Sequence, residues 1–305
     1  MNSLLKPLLW IALAMLAATG CVTGQTSAPK KVLLIAGKPS HPPGMHEFRA
    51  GMMLFQKSLE NIPGLTVLVA SNGWPTRMEG DKRVDDPTAF EGVDAVVIYA
   101  DGGGGHPALQ GNRTQLFDAL ARKGVGLGFA HYGVEVPKGE PGEAMHRWVG
   151  GYYEHLFSVN PMWKPEFKTL PKHAVTEGVK PFATHDEWYF NMRWVPGQKG
   201  VTPILVATAD EKVRRGPYVY PRGPYDHIIA DAGRAETMMW VCEREDGGRG
   251  FGFTGGHTHN NWTDANQRKV LLNAVLWIAR MKIPAGGVES SLTEADFIAN
   301  QDPKK

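Results

Sequence analysis

Short apolar runs of strand length recur along this 305-residue chain, and each is cut off by glycine or histidine before the next element begins. Lys31–Ala36 reads Lys-Val-Leu-Leu-Ile-Ala, Leu65–Ala70 is a second run, Ala95–Tyr99 a third, and Val125–Ala130 leads straight into His131-Tyr132-Gly133. Between the first two, Phe48, Met52, Phe55 and Leu59 share one helical face within Met45–Asn61, and Pro63-Gly64 stops the helix. Strand, helix, strand, crossover, strand is the order of a parallel, doubly wound α/β sheet. With no linker in mid-chain, one domain of this class is expected.

In such sheets ligands gather beyond the carboxyl ends of the strands. Chemistry is therefore sought just past each run. Gly250–Trp262 is the sharpest case: Gly-Phe-Gly-Phe-Thr reads as a buried strand, two glycines release the backbone, and His257 and His259 follow before a helix begins near Asp264. His41 and His46 follow the first run, Asp101, four glycines and His106 the third, and His131 the fourth. Six of the 11 histidines thus fall just beyond a predicted strand.

His131 occupies the apex of a strand, exposed residue and glycine turn, the geometry of a nucleophile elbow. An imidazole there forms no acyl-enzyme and suits proton transfer or metal ligation. The Gly-rich Asp101–Gly105 run lacks both the P-loop pattern and a dinucleotide fingerprint, so it reads as a loop lining a pocket. Asp186 and Glu187 are neighbours that point different ways, so at most one faces a site. Trp148, Tyr152, Tyr153 and Trp163 have faces that stack on sugar rings as well as pack in a core. Thirty-three basic against 31 acidic residues give a formal charge of +2 with no long basic block, which argues against nucleic acid as a partner.

Further along, a polar loop with Trp74 separates the second and third runs, and Asn112 is a candidate cap for the helix that follows His106. Val201–Ala207 and Met238–Cys242 read as strands, Lys212–Tyr225 as a surface loop or lid, and Asp246-Gly247-Gly248 as a hairpin turn. Thr263 or Asp264 caps a closing helix that turns Leu271, Ala274, Val275 and Ile278 inward. Ser291-Leu-Thr-Glu294 has the form of a capping box, and Gln301–Lys305 is expected to fray.

Residues 1–21 have the layout of an export signal: Lys6, an apolar stretch Leu8–Ala18 too short to span a bilayer, then Ala18-Thr19-Gly20-Cys21. This ending resembles a bacterial lipobox, which makes Cys21 the expected lipidation site; ordinary signal-peptidase cleavage is the alternative. Val22 in place of aspartate after the cysteine points to the outer membrane, with the protein on its periplasmic side. The lipid anchor is thus the expected membrane contact, and residues 22–30 form a tether. Cys242 would then be the sole remaining cysteine, too few for an internal disulfide, and its apolar neighbours suggest a packed, inert thiol.

Taken together, these pieces resemble the ThuA-like (trehalose-utilisation) family of the class I glutamine amidotransferase-like superfamily. The resemblance is carried by Lys31–Gly37 with His41, Gly126–Gly133, His173-Ala-Val-Thr-Glu-Gly178, Asp186-Glu187-Trp-Tyr189, and Gly250–Trp262 with Leu272-Asn-Ala-Val-Leu-Trp277. It implies a flavodoxin-like three-layer α/β/α sandwich with a mainly parallel sheet over residues 31–283, followed by an extension over 284–305. It implies carbohydrate, particularly a disaccharide or its keto derivative, as the small-molecule partner. Glutamine hydrolysis is not expected, because the elbow carries His131 where amidotransferases carry cysteine.

Two chemistries remain open on the residues. In one, a divalent metal is held by His257 and His259, with His41, His46 or His131 as a further nitrogen and Glu187 or Asp186 as a carboxylate. In the other, His131 takes a proton while His257 or His259 donates one, with Glu187 assisting and no metal. Either would serve a lyase, hydrolase or isomerase acting on carbohydrate, with His41, His46, Asp101, His106, Tyr132, Asp186 and Trp262 contacting substrate. A lipid-anchored sugar-binding protein without turnover is the non-enzymatic alternative.

Overall fold

The first strand shows why the sheet must be covered twice. In the computed structural model, which describes residues 28–304, β1 (Lys30–Ala36) sends Val32, Leu34 and Ala36 to one face and Leu33 and Ile35 to the other, all buried. An apolar strand without polar alternation is stable only between two layers of helices.

The chain supplies those layers in order. β1 is followed by α1 (Phe48–Leu59), β2 (Leu65–Ala70), a small hairpin of β3 (Thr76–Glu79) and β4 (Lys82–Asp85), then β5 (Ala95–Tyr99), α2 (Arg113–Arg122), β6 (Gly126–Ala130) and α3 (Glu140–Val149). An irregular excursion then pairs β7 (Gly151–Tyr152) with β10 (Arg193–Trp194) and β8 (Met162–Trp163) with β9 (Asp186–Glu187). After it come β11 (Val201–Thr208), α4 (Glu211–Arg215), α5 (Asp226–Ala230), β12 (Ala235–Glu243), β13 (Arg249–Phe253), α6 (Ala265–Ile278) and α7 (Glu294–Ile298).

Seven strands form the central sheet in the order β11-β12-β13-β6-β5-β1-β2. The five from β13 to β2 are mutually parallel, and β12 and β11 add an antiparallel edge. Strand order reverses beside β1, so the loops after β1 and β5 open onto the crevice where a doubly wound sheet binds its ligand. Helices α1 and α6 cover one face, with Phe48, Phe55, Leu271 and Val275 in the core, while α2 and α3 cover the other with Phe117 and Trp148. This is the expected flavodoxin-like three-layer sandwich.

Local signals held where side-chain chemistry was explicit. Asp264 accepts the Asn266 and Gln267 amides and caps α6, and the Asp246–Gly248 turn joins β12 to β13 as a hairpin. Elsewhere the structure corrects the reading. The polar loop after β2 contains the β3–β4 hairpin, and Asn112 makes no side-chain cap bond. The C-terminal capping box is Thr293 with Asp296, two residues beyond Ser291 and Glu294. Residues 301–304 are not frayed: the Asp302 amide donates to Glu47 at 2.9 Å and the Lys304 ammonium to the His46 carbonyl at 3.1 Å.

Trp148, Tyr152, Tyr153 and Trp163 are all buried and belong to the packing, not to a sugar-binding face. Cys242 is buried on β12, and burial pushes its thiol up to about 11, so no thiolate nucleophile is available there. No helix of the described residues is long and apolar enough to cross a membrane. The export signal, Cys21 and most of the tether lie outside the described residues.

One glycine shows how tightly the antiparallel edge is built. Gly252 pairs with Trp240, whose ring covers it so closely that a β-carbon would meet the indole at 2.1 Å. Gly252→Ala is expected to lower stability by roughly 1–3 kcal/mol, the usual cost of overpacking a core, read as a fall in the urea midpoint at unchanged slope.

Candidate functional site

Loops from the ends of β1, β5, β6 and β13 meet over the reversal point, and they are stitched to one another before any side chain is considered. The His46 amide donates to the His257 carbonyl at 2.9 Å and the His259 amide to the Gly44 carbonyl at 2.9 Å. Asp186 on β9 fixes the β13 loop by accepting the Gly256 amide at 2.7 Å and the Thr258 amide at 3.0 Å. Glu47 braces the β1 loop by accepting the Gly44 amide at 2.9 Å and pairing with Lys304 at 3.1 Å. His41, His46 and His131 have φ of 60°, 47° and 51°. Left-handed backbone is unfavourable for these residues and is held by the bracing around it.

The side chains converge. His46 Nε2 lies 3.0 Å from His131 Nε2 and 2.9 Å from His257 Nδ1. Glu187 Oε2 lies 2.7 Å from His257 Nδ1 and 3.7 Å from His131 Nε2. All four residues are buried, and one ligand atom from each lies within 4.8 Å of the others. Three further contacts orient them: Asp101 meets His46 Nδ1 at 2.8 Å, the Thr254 carbonyl meets His131 Nδ1 at 3.0 Å, and Asn160 Nδ2 donates to Glu187 Oε1 at 2.8 Å. His41 stacks on His46 with ring centroids 3.6 Å apart and lies partly exposed at the mouth.

These partners settle which nitrogens carry hydrogen. A backbone carbonyl only accepts, so His131 Nδ1 is protonated and its Nε2 presents a lone pair. The Asp101 carboxylate does the same for His46. Two lone pairs then face each other across 3.0 Å, with the Tyr189 hydroxyl, 3.3 Å from His131 Nε2, and His257 Nδ1, 2.9 Å from His46 Nε2, as the donors in reach of them. Protonation offers little relief: burial, then His41 and His257, hold His46 down at about 2, and burial, then His46 and His257, hold His131 well below the usual histidine range. Three nitrogens and a carboxylate at these separations resemble tetrahedral ligands, whose donor atoms sit about 3.3 Å apart when metal bonds are about 2.0–2.1 Å.

Not every residue expected here arrives. His259 turns away, with Nε2 bonded to the Phe297 carbonyl at 2.9 Å, because its turn rotates it to the opposite side from His257. His106 is buried as a local brace, meeting the Gly133 carbonyl at 3.0 Å and accepting the Ala108 amide. Trp262 is a core residue packed on Phe55 and Phe253. Asp186 is spent on backbone amides and Glu187 alone faces the pocket. Tyr132 lines it, its ring 6.0 Å from that of His46.

Asn160, Tyr189 and Glu135 join the site without a local sequence signal, apart from Tyr189 lying two residues beyond Glu187. Glu135 is largely buried, and burial followed by the Glu187 charge pushes its carboxyl up to about 8. Its amide donates to the Tyr132 carbonyl at 3.0 Å, which seats it in the turn that follows β6.

Comparison with known proteins agrees with this architecture. A family model described as ThuA, trehalose utilisation, matches residues 43–278. A solved ThuA-like protein from Bacteroides uniformis is 14% identical, covering 83% of this chain and 92% of its own with a TM-score of 0.56. A glutamine amidotransferase from Thermotoga maritima is 12% identical over 83% of this chain and 99% of its own, with a TM-score of 0.42. No curated protein matches the chain. At such an identity the likeness to the Bacteroides protein concerns the fold alone.

The Glu135 carboxyl yields a test independent of any substrate. Folded, it keeps its proton up to about pH 8, whereas unfolded it loses it near 4.5, so the native state holds the extra proton between those values. Stability falls as pH rises through that window. In chelator-treated protein, Glu135→Gln is expected to flatten the fall in melting temperature between pH 5 and 8; an unchanged slope would place Glu135 in an ordinary solvated setting.

Proposed function

This chain belongs to the ThuA family, and from that premise we propose that it is an exported carbohydrate-active enzyme whose His46, His131, His257 and Glu187 hold one divalent metal ion. The observation that carries the metal is the pair of lone-pair nitrogens on His46 and His131, 3.0 Å apart in a buried pocket. A cation among them turns a repulsive contact into ligation. The donor set of three imidazoles and a carboxylate suits zinc and neighbouring first-row ions, and the Asp101 and Thr254 contacts are the outer-shell bonds that fix ligating histidines.

Bound there, a divalent ion would supply Lewis-acid polarisation of a substrate carbonyl or hydroxyl oxygen. The chain's own groups provide the rest. Glu135 keeps a proton at neutral pH and can donate it to a leaving oxygen. His41, half-exposed against His46, is placed to pass protons between the pocket and water. Tyr132 and Tyr189 offer hydroxyls that burial keeps protonated and able to donate hydrogen bonds to sugar oxygens. A sugar or keto-sugar glycoside fits this equipment, and the reaction class is lyase, hydrolase or isomerase. Glutamine hydrolysis is disfavoured by the absence of a thiol at the elbow, where His131 stands.

Mass spectrometry of purified protein is expected to find about one first-row divalent metal per chain, lost in both His131→Ala and His257→Ala. Asp101→Asn, which keeps the shape and removes the charge behind His46, is expected to weaken metal affinity about 10–100-fold. Metal-free wild-type protein that takes up no divalent ion on titration would end this reading.

Export and anchoring rest on the Ala18–Cys21 pattern. Full-length protein is expected to partition into detergent with the membrane fraction, and Cys21→Ala to lose that partition. Equal partition of the two proteins would exclude a lipid on Cys21.

A further inference from the structure

Of the eight tyrosines, only Tyr220 is exposed, at 70% of its surface. The other seven are buried or half-buried. We propose that Tyr220 is the platform on which a sugar ring of the substrate stacks at the entrance to the His46, His131, His257 and Glu187 pocket. The inference rests on the carbohydrate reading above and names the residue that recognises the sugar.

The first support is where the ring is anchored. The Val219 and Tyr220 amides donate to the carbonyl and the side-chain oxygen of Asn160, each at 3.2 Å. The same Asn160 side chain donates to Glu187 Oε1 at 2.8 Å. One amide group therefore ties the Tyr220 backbone to a carboxylate of the proposed metal set. Tyr220 also contributes to the field at the Tyr132 hydroxyl, and Tyr132 lies beside His46. Platform and pocket thus share Asn160 as a common anchor.

The second support is rigidity. The segment expected to behave as a surface loop or lid is pinned from within: Tyr218 is buried, bonds through its hydroxyl to the Arg214 carbonyl, and packs on Tyr225 with centroids 5.7 Å apart. The Tyr218 amide closes the loop on the Arg222 carbonyl at 3.1 Å. Gly223 has φ of 62°, and a β-carbon there would meet the Tyr218 ring at 2.6 Å, so the loop has no slack at this turn. An aromatic side chain held out into water by a braced loop is pre-organised for a partner.

The third support is composition at the rim. The His155 ring lies 5.8 Å from that of Tyr220 at 32°, and Leu156 and Val219 are 58% and 45% exposed. A small apolar rim beside a deep polar pocket matches a ligand with a C–H face and a hydroxyl edge, as a pyranose ring has. The buried aromatics of the β7–β10 excursion leave Tyr220 as the ring able to meet it.

The test uses zinc-loaded protein and titration calorimetry with trehalose, maltose and cellobiose, with metal content measured on every sample. Wild type is expected to bind at least one of the three. Tyr220→Ala should bind it about tenfold more weakly, Tyr220→Phe within about twofold, and all three proteins should hold the same metal. Wild-type affinity in Tyr220→Ala would overturn the platform, as would a Phe variant as weak as Ala, since the hydroxyl and not the ring face would then be the contact. A wild type that holds zinc and binds no disaccharide overturns it too. Absence of zinc uptake instead refutes the metal reading, and the same titrations on metal-free protein still decide Tyr220.

Discussion

Four donor atoms from four separate stretches of chain meet in one buried pocket, two of them with lone pairs set against each other, and the surrounding structure is arranged to keep them there. His46 and His131 adopt left-handed backbone, which isolated chains avoid. Asp101, the Thr254 carbonyl and Asn160 each occupy the far side of a donor and aim its near side inward. A crowded arrangement of this kind persists only on a rigid support. Parallel strands buried on both faces provide one.

The sheet contributes in a second way. Because β1, β5, β6 and β13 are adjacent and parallel in the order β13-β6-β5-β1, their carboxyl ends lie along one rim, and residues more than 200 positions apart become neighbours. Proximity of His46 to His257 is thus a property of strand order, and no local preference of either loop would produce it. The elbow position is the clearest instance: the turn after β6 puts one side chain at the tip of the strand, and this chain uses it for an imidazole.

The sheet, its parallel sense and four of the histidines were legible because hydrophobic periodicity marks strands and strand ends mark sites in this architecture. His259 and His106 carried the same signal and do not face the pocket. What separates them is rotation within short 3-10 turns, which sequence spacing does not encode. Glu187 was legible as one of a pair, but Asp186 was spent on the Gly256 and Thr258 amides, a tertiary event. Asn160, Glu135 and Tyr220 were illegible for a related reason: Asn160 sits in the long excursion, Tyr220 in a proline-rich loop and Glu135 in the turn after β6, and none of these segments has a periodicity to read. In the aromatic stretch packing was the favoured role at each single position, and burial of Trp148, Tyr152, Tyr153 and Trp163 bears it out.

The contact between Lys304 and the His46 carbonyl joins residues 258 positions apart. With Asp302, it ends on Glu47, which holds the turn that presents His46. Release of these residues would free the turn that carries His46 while every strand of the sheet stays paired, so loosening of the C-terminal segment and loosening of the pocket would be a single local event.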